Sequence, residues 1–243
     1  MRSRRANTEP VAPSLQVAVL EALESAENYN RWVAELTLPY LGDDPIEIGS
    51  GIGVSGSLWL AAGLPRITVT DVDEETLRAL HARFDGDERV SVRRLDLESA
   101  EDGAHSSLVA LNVLEHIADD VAALRNAARL LRPGGRVVLF VPAFPFAMGK
   151  FDREIGHHRR YTKASARSAF DRAGLTPEVV RYVNAPGLLA WFVVMRLLGG
   201  RPSEGPLLTA WDRGVIPLVR ALESRIRMPF GQSVLAVART GEP

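Results

Sequence analysis

The sequence predicts an α/β domain built on a parallel sheet, and three observations carry that expectation. The segment Pro45-Ile46-Glu47-Ile48-Gly49-Ser50-Gly51-Ile52-Gly53 is a short apolar run interrupted by one acid and followed by three glycines at alternate positions. Such a run reads as a buried strand whose C-terminal end turns tightly, where glycine lets backbone approach a ligand. From there to Val141, apolar runs alternate with helical patterns, as strands joined by helical crossovers do. With 46% hydrophobic residues among 243, the chain can bury one sizeable core without staples.

The elements follow in order. Residues 1–14, with Arg2, Arg4, Arg5, Pro10 and Pro13, have charge but no apolar region behind it, so they read as a disordered tail and not as a secretory signal. Residues 15–243 are expected to form a single domain. Leu15, Val19, Leu20 and Leu23 give a helix over Leu15–Ala26, and Glu27–Leu38 reads as a second one carrying Tyr29 and Trp32. Strands are expected at Ile46–Ile48, Ile67–Thr70, Val90–Arg93, Leu108–Leu111 and Arg136–Val141, with helices at Val54–Ala62, Glu74–Phe84 and Asp120–Leu131. Asp73 and Asp119 start the last two helices, and acids in their first turns complement the macrodipole. Pro133-Gly134-Gly135 turns the chain into the next strand. A long loop, Pro142–Tyr161, leads to a helix capped by Thr162 and running to Ala173, then to strands near Val179–Tyr182 and at Ser233–Ala238. The intervening residues 183–232 are too many for a bare connection, and read as a helical insertion with helices at Leu188–Leu198 and Leu207–Arg227.

Composition removes several functions. A net charge of −1 speaks against a nucleic-acid binder that relies on bulk electrostatics. Without cysteine there is no disulfide framework, thiolate-bound zinc or thiol nucleophile, which agrees with a cytoplasmic setting. The longest apolar stretch, Gly187–Met195 with Leu197 and Leu198 after it, is too short to span a bilayer.

The glycine turn is read as a nucleotide-cofactor pocket. Gly51, Gly53 and Gly56 also fit the dinucleotide fingerprint, with Asp71 downstream. Pyrophosphate, however, needs a helix N-terminus left open to negative charge, whereas the acid Glu47 favours a cationic ligand such as S-adenosylmethionine over NAD.

Further motifs stand in register with that turn: Asp71 ending the second strand, Leu95-Asp96-Leu97 after the third, Asn112-Val113-Leu114-Glu115-His116 after the fourth, and Leu131-Arg132-Pro133-Gly134-Gly135 before the fifth. In this order they resemble the class I S-adenosylmethionine-dependent methyltransferases, from Tyr29 to Arg239. The resemblance implies a Rossmann-like, doubly wound sheet of seven strands, the last, Ser233–Ala238, antiparallel. It implies that Glu47, Gly49, Gly51 and Gly53 hold the methionine part of the cofactor, Asp71 the ribose and Asp96 the adenine, with Val72 and Leu97 beside them among the cofactor-binding residues. Asn112 lines the pocket and Tyr29 covers it. Glu115 and His116 are read as capping the next helix.

Gly156-His157-His158-Arg159-Arg160-Tyr161-Thr162 also looks like sequence of a family subgroup. His157, His158 and Tyr161 are the expected catalytic groups, and Arg159, Arg160 and Trp191 the expected contacts to a small-molecule acceptor of specialised or cell-envelope metabolism. No metal is expected, because adjacent histidines in an extended loop point apart and no carboxylate cluster stands beside them in sequence. The insertion is read as a lid over the acceptor, with a homodimer interface next and membrane contact last. Two other functions compete: binding S-adenosylmethionine without methyl transfer, as a cyclase-type scaffold, and nicotinamide-dependent oxidoreduction. Tyr29, Tyr40, Tyr161 and Tyr182 all lack a lysine four residues on, which weighs against the second.

Overall fold

Strand β1 (Pro45–Ile48) is buried at all four positions and pairs in parallel with β2 (Ile67–Asp71) on one side and β4 (His105–Leu111) on the other. Burial on both faces is what a central strand of a parallel sheet takes, here with the acid Glu47 buried among its apolar neighbours. The structure, a computed structural model, describes residues 25–97, 103–193 and 205–241. The tail over 1–14 and most of the helix expected at Leu15–Ala26 lie outside these residues, as does 194–204 of the insertion.

With β3 (Val90–Arg94), β5 (Leu131–Pro142), β6 (Thr176–Val183) and β7 (Ser233–Arg239), one seven-stranded sheet forms in the order β3-β2-β1-β4-β5-β7-β6. Strand β7 runs antiparallel between β5 and β6, as expected. The order reverses between β1 and β4, and at such a switch point open α/β sheets bind ligands beyond their carboxyl ends.

The faces divide cleanly because side chains alternate along each strand. In β5, Val137, Leu139 and Val141 pack with Ala123, Leu124 and Ala127 of α4 (Asp120–Arg129) and with Ala166 and Phe170 of α6 (Lys163–Ala173). Val138 and Phe140 face the other way. There they meet a core that includes Trp32 of α1 (Glu27–Thr37), Trp59 of α2 (Val54–Ala61) and Leu80 of α3 (Glu74–Arg83). Asp73 caps α3 by accepting from the Glu75 and Thr76 N–H groups, and Asp119 caps α4 by accepting from Ala122 N–H at 2.9 Å.

Three local expectations change. Helix α4 ends at Arg129, and β5 already pairs at Leu131 opposite His105; the Pro133-Gly134-Gly135 segment lies inside the strand as an irregularity between His105 and Ser107 of its neighbour. The long loop after β5 holds a short helix, α5 (Lys150–Glu154). In the insertion, the helix expected from Leu188 starts three residues earlier, as α7 (Ala185–Trp191), with Leu188 buried and Leu189 62% exposed.

The second half of the insertion, α8 (Pro206–Ala210), a π-helical turn at Trp211–Val215 and α9 (Ile216–Glu223), acts as a staple. Ala26 offers α1 no side-chain cap. Buried Asp212 accepts instead, from the N–H groups of Asn28 and Tyr29 at 2.9 Å each and from Asn28 Nδ2 at 3.0 Å. Glu223 does the same for α7, accepting from the Asn184 and Ala185 N–H groups at 3.0 and 2.9 Å. A carboxylate at a helix N-terminus satisfies orphan donors and complements the dipole.

Candidate functional site

The turn after β1 follows from its glycines. Gly49 and Gly53 hold φ of 63° and 81°, in the left-handed region. A Cβ at Gly49 would stand 2.7 Å from Val113 Cγ2, and one at Gly53 2.7 Å from Phe84, so both positions need glycine for space and for conformation. Ser50 fastens the turn to β2: its N–H donates to Thr70 O, and its Oγ accepts from Thr70 N–H at 3.0 Å.

Asp71, at the end of β2, accepts from Gly51 N–H through Oδ2 and from Val72 and Asp73 N–H through Oδ1, at 3.1, 2.8 and 3.1 Å. Burial raises its pKa against the pull of these donors. A carboxylate has about four acceptor positions, so roughly one is left for a ligand hydroxyl. Val72 is exposed beside it. Asp96 is exposed after β3, and buried Leu97 accepts from Asn126 Nδ2 at 3.0 Å through its carbonyl. Asn112, exposed beyond β4, takes a φ of 54°.

Glu47 is buried in β1, and its Oε2 has no hydrogen-bond partner. Burial pushes its pKa up to about 8, with Ser50 opposing and Asp71 adding to the rise. An orphaned buried carboxylate beside a glycine cradle fits a ligand that brings positive charge or a donor, as the methionine part of S-adenosylmethionine does.

The loops after β4 and β5 build a second cluster. Asp152 of α5 is fully buried and accepts from Gly149 N–H at 2.7 Å, from Arg160 Nε at 2.7 Å and, through the same oxygen as Arg160, from His157 Nδ1 at 2.9 Å. Burial works against its charge, but His157, Gly149 and Arg160 together hold its pKa below the usual range. Arg160 is 4% exposed; it reaches the Ala143 carbonyl and lies 4.7 Å over the Trp191 ring. Its guanidinium is thus engaged within the protein and does not stand free for an acceptor. Trp191 packs on Phe151 and Arg160, with its Nε1 buried and unpartnered.

The far edge of the His157 ring faces Glu115, with Nε2 3.8 Å from Oε1. Glu115 is wholly buried, and neither carboxylate oxygen has a hydrogen-bond partner. Burial pushes its pKa to about 8, while Arg160 pulls it down. His116 meets His157 edge to face at 4.6 Å, and burial, with His157 nearby, lowers its pKa to about 4. Glu115 and His116 therefore do not cap α4, a task that Asp119 performs.

His157 and His158 do point apart: His158 is exposed and only its N–H is held, by the Glu115 carbonyl. Tyr161 is buried and donates to Asp120 Oδ2 at 3.0 Å, which also pairs with Arg159 at 2.8 Å. Burial, then Asp120, raises the Tyr161 pKa far above the phenol range. Tyr29 is half-buried, and burial raises its pKa to about 12 against a hydrogen bond with Ser233. Asp152 and Glu115 were missed as site residues. Glu115 had a sequence signal in the Asn112–His116 motif after β4, whereas Asp152, in the charged run Lys150–Glu154, had none.

Residues 46–137 match a family model described as a methyltransferase domain. A 127-residue stretch is 28% identical to an uncharacterized 37.1 kDa protein in transposon TN4556 of Streptomyces fradiae, covering 51% of this chain and 37% of that protein. The chain thus spans little more than a third of that relative's length. Among solved structures it is similar to an S-adenosylmethionine-dependent methyltransferase from Mesorhizobium loti, at 18% identity and a TM-score of 0.59 over 85% of this chain and 95% of that one. It is similar to a chain of the Haloferax volcanii complex between the Trm112 methyltransferase activator and a methyltransferase, at 16% identity and a TM-score of 0.64 over 96% and 100%. The [4+2]-cyclase SpnF is another, at 15% identity and a TM-score of 0.63 over 94% and 95%. At such identities the structural likeness is one of fold. Residues 46–137 thus match a methyltransferase-domain model, and the chain shares its seven-stranded fold with solved S-adenosylmethionine-dependent methyltransferases.

Proposed function

We propose that the chain methylates an oxygen-, nitrogen- or carbon-centred small molecule held between the carboxyl ends of β4 and β5 and helix α7. One observation carries this reading: Val113, which closes on Gly49 of the cofactor turn, is only two residues from Glu115 of the His157 cluster. The cofactor cradle and the cluster therefore adjoin.

When bound, S-adenosylmethionine supplies an electrophilic methyl on a sulfonium. Gly49, Gly51 and Gly53 would clear space for its methionine part, Glu47 would face its positive charge, Asp71 would accept from its ribose, Asp96 would meet the adenine, and Val72, Leu97 and Asn112 would line the pocket. The protein's main contribution is alignment. Positioning supplies about 7–11 kcal/mol, against about 10²–10⁴-fold for a general base. Where the acceptor arrives protonated, His157 is the best-placed base so long as its Nε2 carries no ion, because Asp152 fixes its Nδ1 edge and leaves Nε2 facing inward.

Helix α7 is read as part of a lid, since Trp191 sits on Arg160 and the exposed Leu189 offers apolar surface to an acceptor or to a second copy of the chain. No helix among the described residues is long and apolar enough to cross a membrane, and a cytoplasmic setting is part of this proposal.

Incubation with methyl-labelled cofactor and a panel of acceptors tests the reading. Formation of S-adenosylhomocysteine with a labelled product supports it; tight binding without turnover, alongside an unlabelled cyclised or rearranged product, supports the cyclase-type scaffold instead.

A further inference from the structure

Glu115, His116 and His157 come from loops after two different strands, yet one ligand atom from each lies within 4.8 Å of the others. A tetrahedral zinc ion with bonds of about 2.0–2.2 Å sets its ligands about 3.4 Å apart. The separation of 3.8 Å between His157 Nε2 and Glu115 Oε1 needs little closing to meet that.

Three further features point to an ion. Both oxygens of Glu115 are buried without a partner, an arrangement native proteins rarely leave unfilled. His157 presents Nε2 inward while Nδ1 is fixed by Asp152 at 2.9 Å, the carboxylate-histidine support that orients metal-binding imidazoles. Charge adds to this. Among the buried groups, Arg160 is paired with Asp152 and offsets an ionised Glu115 only in part, and burying such a charge is costly unless something neutralises it.

We propose that Glu115, His116 and His157 bind one divalent transition-metal ion, of the kind that imidazole and carboxylate donors hold together. Two imidazoles with one carboxylate suit zinc, cobalt or iron and not magnesium or calcium, which favour oxygen donors throughout. Half-buried His116 gives the ion a path in. At the carboxyl edge of β4 and β5, the ion would take an acceptor carrying a carboxylate or hydroxyl as a further ligand. That acceptor class rests on the methyl-transfer reading; the ion itself does not.

The test uses the full chain, treated with chelator and titrated with cobalt(II) and zinc(II), with magnesium as control. One equivalent of cobalt should bind with a visible d–d spectrum, and zinc should displace it. Glu115→Gln and His116→Gln should each weaken binding at least about tenfold, since even supporting residues of metal sites are worth about 10–100-fold. His158→Ala, which removes the exposed neighbour, should leave it unchanged. Zinc should also raise the thermal midpoint of the parent chain but not of Glu115→Gln, which shows whether that variant has folded. Binding that disappears in His158→Ala, or persists unchanged in both ligand variants, or a parent chain that takes up no cobalt, overturns the proposal. Metal binding with no methyl transfer to any acceptor would overturn the functional reading alone.

Discussion

Asp71 accepts a hydrogen bond from Gly51 N–H at 3.1 Å, tying the end of β2 to the middle of the glycine turn. One carboxylate therefore shapes the cradle and, on the proposed reading, also meets the ribose of the cofactor. Asp71→Asn keeps the size of the side chain but weakens its acceptors, so affinity for S-adenosylhomocysteine should fall by about 1–3 kcal/mol, or roughly 5–150-fold, in calorimetry. Undiminished affinity would mean that the ribose is held elsewhere.

Gly49 and Gly63 both have positive φ, at 63° and 98°. Only Gly49 has a neighbour in the way: Val113 crowds its Cβ position, while nothing lies within 4 Å of that of Gly63. Alanine at Gly63 should cost about 1–2 kcal/mol from conformation alone. At Gly49 overpacking should add about 1–3 kcal/mol, and Gly49→Ala with Val113→Ala should recover part of it in urea unfolding.

Burial raises the folded-state pKa of Glu115 from 4.5 to about 8. An acid with a raised folded pKa contributes stability that is fully present below its unfolded pKa and is lost as pH rises through the folded one. Chelator-treated protein should therefore lose stability between about pH 4.5 and 8, by an amount on the order of a few kcal/mol. Glu47, also raised to about 8, contributes with the same sign. Glu115→Gln should flatten the profile without abolishing the slope; a profile that matches the parent's would show that Glu115 ionises normally in the folded chain.

Arg160 and Asp152 form a buried pair at 2.6 Å. Removal of one partner strands the other charge, so Arg160→Met should lower stability by about 3–5 kcal/mol. The exposed pair of Arg220 and Glu35 at 2.7 Å is a useful contrast, and Arg220→Ala should cost no more than about 1 kcal/mol. Similar denaturation midpoints for the two variants would contradict the difference in burial.

Asp212→Ala should cost about 1–2 kcal/mol, as loss of a helix cap does. Because the Asn28 and Tyr29 N–H groups lose their acceptor, amide exchange should accelerate at the start of α1 first. Uniform acceleration across the sheet would instead indicate global unfolding.

Local features were the legible ones. The glycine turn, the Asp73 cap and the final strand each follow from residues close in sequence, whose preferences agree with the fold. The start of β5 was not, because Pro133-Gly134-Gly135 reads as a boundary yet sits within a strand that resumes pairing beyond an irregularity. The His157 cluster was half legible. His157 and His158 stood out, but Glu115 and Asp152 acquire their meaning only when the loops after β4 and β5 fold against each other. Likewise, Arg160 looked available as a cation, and only burial against Asp152 shows it engaged.

The cap on α1 also bears on how the chain acquires its shape during synthesis. Asn28 and Asp212 are 184 positions apart, and ribosomes work from the N-terminus at about 5–20 residues per second. Helix α1, the first among the described residues, thus emerges many seconds before the carboxylate that completes its end. Until then the Asn28 and Tyr29 amides lack that acceptor, and the late arrival of residues 211–223 supplies it.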